Sequence, residues 1–570
     1  MTVAGTRLLR PWALPGRLAY ARQRIARILR PPVTVTAAPP GLRILRDQEI
    51  VTRDGTVLRA NVFLPAAGPE ETGTGERRHP VVLCAHPYGK DAFPKRTRRG
   101  WRPSPQYRIM RQASPLAFSE LTTWESPDPV TWTGFGYAKV ELDLRGAGAS
   151  DGRARLMSTQ EGQDVADAIA WAAAQPWSTG AVGLLGVSYL AISQWQAAAE
   201  QPAALKAIVP WEGFTDAYRD LFTPGGVRER GFSVLWTTML RRGGVRLAES
   251  PTEGRNVHPL RDAWWQAMVP DLARIDVPML VCASFSDASL HSRGSWRAFE
   301  HVASAERVAW THRGGKWASF YSPEAVAAQR AFLDRHVRGE DAPRPPAVRL
   351  EVRERGDAVA EVRAESEWPL ARTRWTRLAL GPAGLAAEAP EAGALAFSGR
   401  RRAAGFTYRF EDDTELSGPM ALGVWVSVER GADATVFAGV EKLDRDGRVV
   451  DFEGSYGYGR DLVASGMLRA SLRRLDPARS TPAVPVHTLD QVEPLVPGVP
   501  VELAIPLNDS ATRFRAGESL RLLVSGRQLR PRNPLWGQFP SLWTSEAPGR
   551  IAVHWGPAHA SSLLVPVIPG

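Results

Sequence analysis

The stretch GLLGVSYLAISQW, residues 183–195, decides the fold of this chain. An apolar run ends at Val187, Ser188 follows, and a segment with helical character begins at once. A sharp strand-to-helix turn of this kind holds a serine Oγ out of the sheet, close to the first amides of the helix. The pattern predicts that Ser188 is a nucleophile, although Leu190 replaces the second glycine of G-x-S-x-G and Ala191 stands one position later. An ordinary serine in a strand-to-helix turn is the alternative.

Short apolar runs on both sides of this stretch predict a sheet of buried parallel strands. The runs occupy 80–86, 137–144, 181–187, 205–210, 278–284 and 307–310. Helical patterns lie between several of them, such as the segment 323–337, and Ser158 with Glu161 forms a capping box before another helix. Alternating strands and helices predict a doubly wound, mostly parallel α/β domain.

The chain divides into three parts. An arginine-rich extension covers residues 1–45, and a catalytic domain covers 46–345, with a helical cap inserted at about 212–275. The charged, proline-rich linker RGEDAPRPPAV ends the α/β pattern at 338–348. Beyond it, many short strands separated by Gly and Pro predict an all-β sandwich or jelly roll over residues 346–570.

Composition excludes several classes of protein. The 570 residues are 44% hydrophobic and include 20 Trp, so the chain is globular and not disordered. The net charge is 71 − 60 = +11, but nine of the arginines and no acidic residue lie within residues 1–46, which leaves the rest nearly balanced. A nucleic-acid-binding protein would cluster its basic residues and interleave them with aromatic ones. We therefore expect no nucleic-acid partner.

The N-terminus and the cysteines indicate where the protein functions. No segment approaches 18 uninterrupted apolar residues, and arginines interrupt the N-terminus, so we expect neither a spanning helix nor a secretory signal. We interpret the extension as disordered or locally helical, with a loosely membrane-associated amphipathic tail as the alternative. Cys84 and Cys282 lie in apolar runs, which predicts that both are buried thiols. The expected location is the cytoplasm, with no stable membrane insertion.

Two further side chains complete a candidate triad. Asp287 stands just after the apolar run 278–284, and His312 follows the run 307–310. The chain order serine, acid, histidine is that of α/β-hydrolases, in which the imidazole takes the serine proton and the carboxylate orients the imidazole. Other candidates remain for both roles. The rival histidines are His86, His291, His301 and His336, and the rival acids are Asp271 and Asp276.

An oxyanion requires two donors. The backbone N–H of Tyr189 would supply one, and the phenol hydroxyl of Tyr88, in the loop after the strand 80–86, would supply the other; a packing tyrosine is the alternative. The glycine-rich DLRGAGASDG, residues 143–152, is spaced one residue too long for a dinucleotide loop and no helix follows it at once. We find no P-loop, no H-E-x-x-H and no cysteine pair with metal spacing, and we expect no cofactor and no metal.

Several segments together resemble the CocE/NonD family of serine hydrolases, which comprises cocaine esterase and the X-prolyl dipeptidyl-peptidases of family S15. The resemblance spans roughly residues 46–340 and rests on TRDGTVLRANVFLP, HPYGKDAF, TTWESPDPVTWTGFGYAKVELDLRGAGASDG, QPWSTGAVGLLGVSYLAISQW, LKAIVPWEGFTDAYRD, VPMLVCASFSDASLHSRGS and WTHRGGKWASFYSPEA. GVSYLA departs from the family's G-x-S-Y-x-G by Ala191, and RGGKW after His312 is a variant.

The resemblance implies an α/β-hydrolase fold followed by a C-terminal jelly roll. It also implies that Ser188 is the nucleophile, Asp287 the acid, His312 the base and Tyr88 an oxyanion donor. The expected substrate is a small-molecule ester or a short peptide, including X-Pro dipeptidyl substrates, for whose free amine Glu212, Asp216 and Asp220 are candidate binders. An acyltransferase that uses the same acyl-enzyme and a non-catalytic binding protein are the alternatives, and homo-oligomerisation is left open.

Overall fold

The computed structural model describes most of the chain. Besides a few isolated residues between 18 and 29, it covers residues 5–10, 32–66, 77–98, 100–104, 106–107, 115–356, 358–456, 461–529, 541–546 and 549–569. Thirteen strands precede residue 345 in this part of the chain. They are β1 (Gly5–Leu9), β2 (Val33–Thr36), β3 (Arg43–Val51), β4 (Val57–Leu64), β5 (His79–His86), β6 (Lys95–Thr97), β7 (Gly100–Arg102), β8 (Leu116–Ser119), β9 (Ala138–Asp143), β10 (Ser178–Val187), β11 (Leu205–Trp211), β12 (Met279–Cys282) and β13 (Arg307–Trp310).

Eight of these strands form the sheet that positions the site. Their order across the sheet is β3-β4-β9-β5-β10-β11-β12-β13, with antiparallel pairs at β3–β4 and β4–β9 and parallel pairs from β9 onward. Strands β5 and β9 are buried along their whole length. This explains why they read as continuous apolar runs in the sequence. The six predicted strands are confirmed, with ends that differ by a few residues.

Nine α-helices of the described residues accompany the sheet. They are α1 (Pro129–Gly134), α2 (Thr159–Ala173), α3 (Tyr189–Ala199), α4 (Phe232–Arg242), α5 (Pro251–Val257), α6 (Ala263–Gln266), α7 (Ser292–His301), α8 (Lys316–Phe320) and α9 (Pro323–Leu333). Half of the predicted capping box is present at the start of α2: the backbone N–H of Glu161 donates to Ser158 Oγ, but the Glu161 carboxylate accepts the N–H of Met157 and not that of Ser158. Helix α3 is buried on all sides.

The segment between β11 and β12 interrupts the alternation of strands and helices, as predicted. It begins with a π-helical turn at Tyr218–Phe222 and continues through α4, α5 and α6. Helix α4 is amphipathic. Its residues Trp236 and Leu240 are buried, whereas Val234 and Met239 are about 40% exposed.

We call residues 346–570 the β region, because its regular structure in the described part of the chain consists almost wholly of strands. These strands are β14 (Val348–Arg355), β15 (Ala358–Glu365), β16 (Arg374–Gly381), β17 (Gly384–Ala386), β18 (Gly393–Ser398), β19 (Ala403–Arg409), β20 (Thr414–Val428), β21 (Thr435–Leu443), β22 (Val449–Val450), β23 (Ala464–Arg469), β24 (Val501–Phe514), β25 (Ser519–Ser525), β26 (Arg550–Trp555) and β27 (Ser562–Ile568).

Two antiparallel layers enclose the apolar core of this region. One layer contains β19, β25, β21 and β23, and the other contains β24, β20, β26 and β27. Side chains from both layers, such as Phe406, Val436, Leu422 and Ile505, belong to one buried cluster. Strand β14 pairs with β13 of the central sheet, so the two regions are joined through a shared sheet edge.

Two described segments of the N-terminal extension are more ordered than predicted. Strand β1 pairs antiparallel with β19, and β2 pairs parallel with β8, so their main-chain hydrogen bonds are made with the folded body. The described residues between 18 and 29 are helical, as the alternative of a locally helical extension predicts.

Within the described residues, no helix combines the length and the apolar character that crossing a bilayer requires.

Candidate active site

Ser188 occupies a strained turn between β10 and α3. Its backbone φ and ψ are 59° and −114°, a conformation that non-glycine residues rarely adopt. Small residues allow the close approach that this turn requires. A Cβ on Gly186 would lie 2.4 Å from the Cβ of Leu190, and one on Gly213 would lie 2.8 Å from the Cβ of Ala191. Ala191 thus occupies the tight position that the sequence pattern assigned to a small residue.

Ser188 faces a cavity of about 1000 Å³ beneath the cap. The walls are mainly apolar and come from the loop after β5, from the cap and from the β region; they include Phe93, Phe214, Leu221, Trp236, Leu240 and Tyr456. A cavity of this size accommodates a drug-sized molecule. Tyr456 shows that the β region supplies part of the wall.

The imidazole in contact with Ser188 belongs to His291. Its Nε2 lies 3.1 Å from Ser188 Oγ, and its ring stacks on Phe214 with the planes 15° apart. His291 lies in the same loop as Asp287, four residues further on, and N-caps α7. Burial lowers the pKa of His291 well below its usual value, and the positive charge of Lys316 acts in the same direction. The ring is therefore neutral at physiological pH.

A backbone hydrogen bond determines which nitrogen of His291 carries the proton. The N–H of Phe214 donates to Nδ1 at 3.2 Å, so Nδ1 is an acceptor and Nε2 carries the ring hydrogen. In this tautomer Nε2 donates to Ser188 Oγ. A nitrogen that already bears a proton cannot take the proton of the serine.

His312 binds a different carboxylate from the one predicted. Its Nε2 donates to Glu212 Oε1 at 2.8 Å, while its Nδ1 accepts the N–H of Gly314 at 3.1 Å. Among the described residues, no hydrogen bond or ion pair joins His312 to Ser188 or to Asp287. Glu212 directly follows β11, whose Trp211 carbonyl accepts the backbone N–H of Ser188 at 3.0 Å. The His312 side chain thus reaches from the end of β13 across β12, toward the strand that carries Ser188.

Asp287 contacts a lysine. Lys316 Nζ lies 2.9 Å from Asp287 Oδ2 and 3.6 Å from Glu212 Oε2, and all three side chains are buried. We call Glu212, Asp287, His312 and Lys316 the β11–β13 cluster. Lys316 is the K of RGGKW, and its ammonium explains why both carboxylates turn toward it.

The two carboxylates of this cluster differ in charge. Burial favours the neutral form of Glu212, but attraction to Lys316 and hydrogen bonds from His312 and Ser455 outweigh it and lower the pKa to about 2. Burial also acts on Asp287, and Lys316 offsets it only in part because Glu212 repels a second negative charge, so the pKa of Asp287 rises to about 7. Glu212 is ionised, whereas Asp287 titrates near neutral pH.

A second buried cluster supports the loop that carries Tyr88. His86 Nε2 donates to Glu141 Oε1 at 2.9 Å, and His86 Nδ1 accepts the N–H of Tyr88 at 3.2 Å. Lys139 Nζ contacts the other oxygen of Glu141 and lies 3.1 Å from Cys84 Sγ. We call Cys84, His86, Lys139 and Glu141 the β5–β9 cluster. Attraction to Lys139 and His86 outweighs burial and lowers the pKa of Glu141 to about 2.

Each cluster contributes to a set of potential metal ligands, the second one together with the neighbouring Cys282. The sets are Cys84 with His86 and Glu141, and Glu212 with Cys282 and His312. In both, a buried lysine ammonium already neutralises the glutamate. A divalent cation would have to displace that ammonium, and burial raises the pKa of both thiols, which disfavours the thiolate that metals bind.

Both predicted oxyanion donors border the Ser188 cavity. Tyr88 Oη accepts the indole N–H of Trp236 at 3.3 Å, so its own hydrogen is free to point elsewhere. Burial, with repulsion from Glu125, raises the pKa of Tyr88 well above its usual value and keeps the phenol protonated. Tyr189 is the first residue of α3, and its side chain is anchored behind the site by donating to Glu161 at 2.7 Å.

Glu125 is a buried acid that the sequence analysis did not identify. It lines the Ser188 cavity and has a left-handed backbone, with φ at 65°. Burial raises the pKa of Glu125 to about 8, although Lys316 and hydrogen bonds from Trp317 and Ser188 oppose this. Nothing in the sequence around WESPDP separates Glu125 from surface acids, because its burial depends on distant segments.

The three acids predicted as amine binders all have internal partners. Glu212 binds His312. Asp216 lies 3.0 Å from Arg261, and Asp220 lies 2.8 Å from Arg297. Glu212 could have been recognised as a site residue from sequence, since it follows the apolar run 205–210 as Asp287 follows its own run.

The glycine-rich segment 143–152 is a structural turn. A Cβ on Gly148 would lie 2.0 Å from Asp143 Oδ2, and Asp143 accepts the N–H groups of Lys90 at 2.6 Å and Ala149 at 3.0 Å. The turn therefore ties the loop that carries Tyr88 to the end of β9.

Comparison with known proteins identifies the family of both regions of the chain. The family model of the X-Pro dipeptidyl-peptidases (S15 family) matches residues 54–316, and the model of the X-Pro dipeptidyl-peptidase C-terminal non-catalytic domain matches residues 341–564. The cocaine esterase of Rhodococcus sp. (strain MB1 Bresler) is 29% identical over 406 residues, which are 61% of this chain and 64% of that esterase. The chain thus matches less than two thirds of the length of this curated relative.

Solved structures show a similarity along nearly the whole chain. A CocE/NonD family hydrolase from Staphylococcus aureus is 32% identical, with a TM-score of 0.84, and the match covers 92% of this chain and 94% of that one. An aminopeptidase from a marine sediment Thaumarchaeota archaeon shares the fold at 17% identity, with a TM-score of 0.67 and coverage of 93% and 97%. The chain belongs to the CocE/NonD family of hydrolases, with the S15 catalytic region followed by the family's C-terminal β domain.

Proposed function

We propose that this protein is a serine hydrolase that cleaves ester or amide bonds through an acyl-enzyme formed on Ser188. The observation that carries the proposal is the strained turn of Ser188, which directs Oγ into an apolar cavity where an imidazole contacts it at 3.1 Å. Backbone strain at a buried serine is costly and is typical of a site where the residue must be pre-oriented for reaction.

The proposed reaction has two stages. Ser188 Oγ attacks the substrate carbonyl carbon, its proton passes to a histidine, and the alcohol or amine leaves with that proton. Water then attacks the acyl-enzyme with the same histidine as base and releases the acid. Tyr88 Oη and the Tyr189 N–H bind the oxyanion in both stages, and losing one such donor typically costs about 3–4 kcal/mol of transition-state stabilisation.

We assign the proton transfer to His312 with Asp287 as the orienting acid. Ser188, Asp287 and His312 each follow a strand of the run β10-β11-β12-β13, at the same edge of the sheet. His291 is the competing base, but its Nδ1 is occupied by the N–H of Phe214, so its Nε2 donates to Ser188. The assignment requires the His312 side chain to break its hydrogen bond with Glu212 and to contact Ser188 in the catalytic state.

The nucleophile is tested by labelling with a fluorophosphonate. Ser188→Ala should abolish labelling and the hydrolysis of p-nitrophenyl acetate. Ser193→Ala is the matched control, since Ser193 is a buried serine of the same helix that donates to the Ala85 carbonyl. Labelling that persists in Ser188→Ala would place the nucleophile elsewhere.

The base is tested by comparing two glutamine variants. His312→Gln should lower kcat by about 10³-fold or more, because loss of a triad member typically costs at least that much. His291→Gln keeps a side-chain donor toward Ser188 and should lower kcat far less. The reverse ranking would assign the proton transfer to His291.

The substrate class follows from the cavity. Its mainly apolar wall favours esters with a bulky apolar group, whereas an X-Pro dipeptide also brings a free amine. Two acids line the cavity, and Glu125 is the candidate for that amine because Asp91 already pairs with Lys90. A screen of p-nitrophenyl esters against Gly-Pro and Ala-Pro anilides, with Ser188→Ala as blank, separates the two; anilide cleavage that is lost in Glu125→Gln would support the dipeptidyl-peptidase activity.

We also propose that the central sheet is an α/β-hydrolase fold and the C-terminal β domain a jelly roll. The mostly parallel strand order with antiparallel strands at one edge supports the first, and two antiparallel layers around one core support the second. The proposed boundaries are residues 46–345 and 346–570, with the cap at 212–275.

A further inference from the structure

A second cavity lies between the catalytic region and the β domain. Its volume is about 1100 Å³, close to that of the Ser188 cavity, and the two share no lining residue. Its lining comes from helix α7, from the segment 478–487 and from the middle of β23 and β24. We call it the interdomain cavity.

The lining of the interdomain cavity carries an excess of positive charge. Five arginines and two acids, Glu300 and Asp509, face it; the arginines are Arg219, Arg293, Arg297, Arg377 and Arg479. Arg219 and Arg297 have counter-ions outside the lining, Asp216 and Asp220. Among the described residues, no carboxylate lies within 4.0 Å of the other three. A concave surface of one charge sign concentrates ligands of the opposite sign.

Arg293 is the most buried of these three cations. One terminal nitrogen donates to the carbonyls of Ser465 at 3.2 Å and Pro506 at 3.3 Å, and Nε is buried without a hydrogen-bond partner. His487 is 3% exposed, and its Nε2 also has no partner among the described residues. Buried polar groups are normally paired, because an unpaired one costs about 1–3 kcal/mol. Because both atoms have almost no accessible surface, they do not themselves face the cavity; they show that the polar groups of this wall are incompletely paired.

The rest of the lining is apolar. The cavity is walled by Trp375, which is 40% exposed, and by prolines such as Pro369, Pro419, Pro482 and Pro485. Rigid rings and an exposed indole suit a flat apolar body more than a small inorganic ion. Burial, with repulsion between Asp509 and Glu300, raises the pKa of Glu300 to about 7, so this acid opposes an anion only weakly near neutral pH.

We propose that the interdomain cavity is a second ligand site that binds an organic carboxylate with an apolar ring system. The carboxylate binds Arg293 on helix α7, Arg479 of the segment 478–487 adds attraction, and the ring system packs against Trp375 and the prolines. The site is distinct from the Ser188 cavity.

The test uses the full-length protein with 2-naphthoate as probe and neutral 2-naphthamide as its match, measured by titration calorimetry. Naphthoate should bind, and naphthamide should bind at least tenfold more weakly, a difference of about 1.4 kcal/mol. Arg293→Gln should weaken naphthoate binding at least tenfold. Arg479→Gln should weaken it about threefold and is exposed enough to leave folding unchanged. Arg401→Gln, an exposed arginine outside the cavity, should bind as the native protein does.

A second measurement locates the probe. Protein labelled beforehand at Ser188 with a fluorophosphonate should bind naphthoate unchanged. Each of four results would overturn the proposal. Three concern the comparisons: binding is lost on labelling, the acid and the amide bind equally, or both arginine variants bind naphthoate as the native protein does. The fourth is no binding at about 10 mM probe, roughly ten times the Kd of a weak, 1 mM complex.

Discussion

The β5–β9 cluster and the β11–β13 cluster flank the strand that carries Ser188 and are built from the same kinds of residue. Each contains a buried lysine, a glutamate with a pKa near 2, and a histidine that accepts a backbone N–H at Nδ1 and donates to the glutamate at Nε2. Each also has a buried cysteine beside it. They differ in one respect, because the β11–β13 cluster holds a second carboxyl group, Asp287.

Because of that difference, the β5–β9 cluster has a fixed charge, whereas the β11–β13 cluster can change its charge. In the β5–β9 cluster, Glu141 receives hydrogen bonds from His86, Lys139, Thr123 and Ser126, and its charge is fully compensated. In the β11–β13 cluster, one ammonium serves two carboxylates, and Asp287 therefore gains or loses a proton near neutral pH. We infer that the first cluster holds the Tyr88 loop still, while the second permits His312 to change its partner.

The largest expected effect is on stability when either lysine is removed. Lys316→Met and Lys139→Met each leave buried carboxylates without a counter-ion, and breaking a buried pair typically costs about 3–5 kcal/mol. The cost of Lys316→Met should decrease from pH 8 to pH 5, because Asp287 takes up a proton. The cost of Lys139→Met should decrease less over that range, because hydrogen bonds from His86, Thr123 and Ser126 continue to stabilise the ionised Glu141. Urea unfolding at several pH values measures both.

Lys206→Met is the control for both lysine variants, since Lys206 is exposed and contacts only the Ala203 carbonyl among the described residues. It should change the free energy of unfolding by less than about 0.5 kcal/mol. Equal pH dependence of Lys316→Met and Lys139→Met would remove the distinction between the clusters.

The next effect concerns the loop that the β5–β9 cluster supports. Tyr88→Phe removes a proposed oxyanion donor and should lower kcat for p-nitrophenyl esters about 10²–10³-fold with little change in KM. Trp236→Phe, which removes only the indole donor to Tyr88 Oη, is the control and should have a smaller effect. A kcat for Tyr88→Phe within about threefold of the native value would leave Tyr88 as a packing residue.

The two clusters should change the free energy of unfolding with pH in opposite directions. Asp287 has a folded pKa of about 7, above its unfolded value of about 3.9, so the folded state retains a proton that the unfolded state has lost. The free energy of unfolding should therefore fall as pH rises from about 4 to about 7, and Asp287→Asn should reduce this fall, to which Glu125 and Glu300 also contribute because their pKa values are raised as well. Glu141 has a depressed pKa, so its contribution is present above about pH 4.3 and is lost as pH falls toward 2.

Urea unfolding of the native protein and of Asp287→Asn between pH 4 and pH 8 makes this measurement. Asp167→Asn, a surface carboxylate paired with Arg53, is the control and should leave the slope between pH 4 and pH 7 unchanged. A slope that Asp287→Asn does not alter would mean that Asp287 stays ionised throughout.

The smallest expected effect concerns His86, which positions the loop that carries Tyr88. His86→Asn removes the acceptor for the Tyr88 N–H and one hydrogen bond to Glu141, and should lower kcat about tenfold, which corresponds to roughly 1.4 kcal/mol. His86→Gln, whose longer side chain again reaches toward Glu141, should restore part of the activity. If both variants lower kcat and stability in equal proportion, His86 has a purely structural role.

Much of the central sheet was predictable because its strands are buried on both faces. Strand β13 was predicted with the same limits, and β5 and β11 within one residue, since continuous apolar runs bounded by polar residues leave few alternatives. The turn at Ser188 was predictable for the same local reason. Strand β1 was not, because its hydrogen bonds go to β19, almost 400 residues away, and nothing in its own sequence indicates that partner.

The sequence by itself determined the family, the order of strands and helices, and the placement of Ser188, Asp287 and His312 each at the end of a strand. Those features depend on local periodicity and on motifs whose residues are neighbours in the chain. Only the tertiary structure decided which side chains meet: His291 with Ser188, Glu212 with His312, and Lys316 with Asp287. Such pairings depend on how buried charges compensate one another in a low-dielectric interior, and that balance is set by residues more than a hundred positions apart as well as by near neighbours.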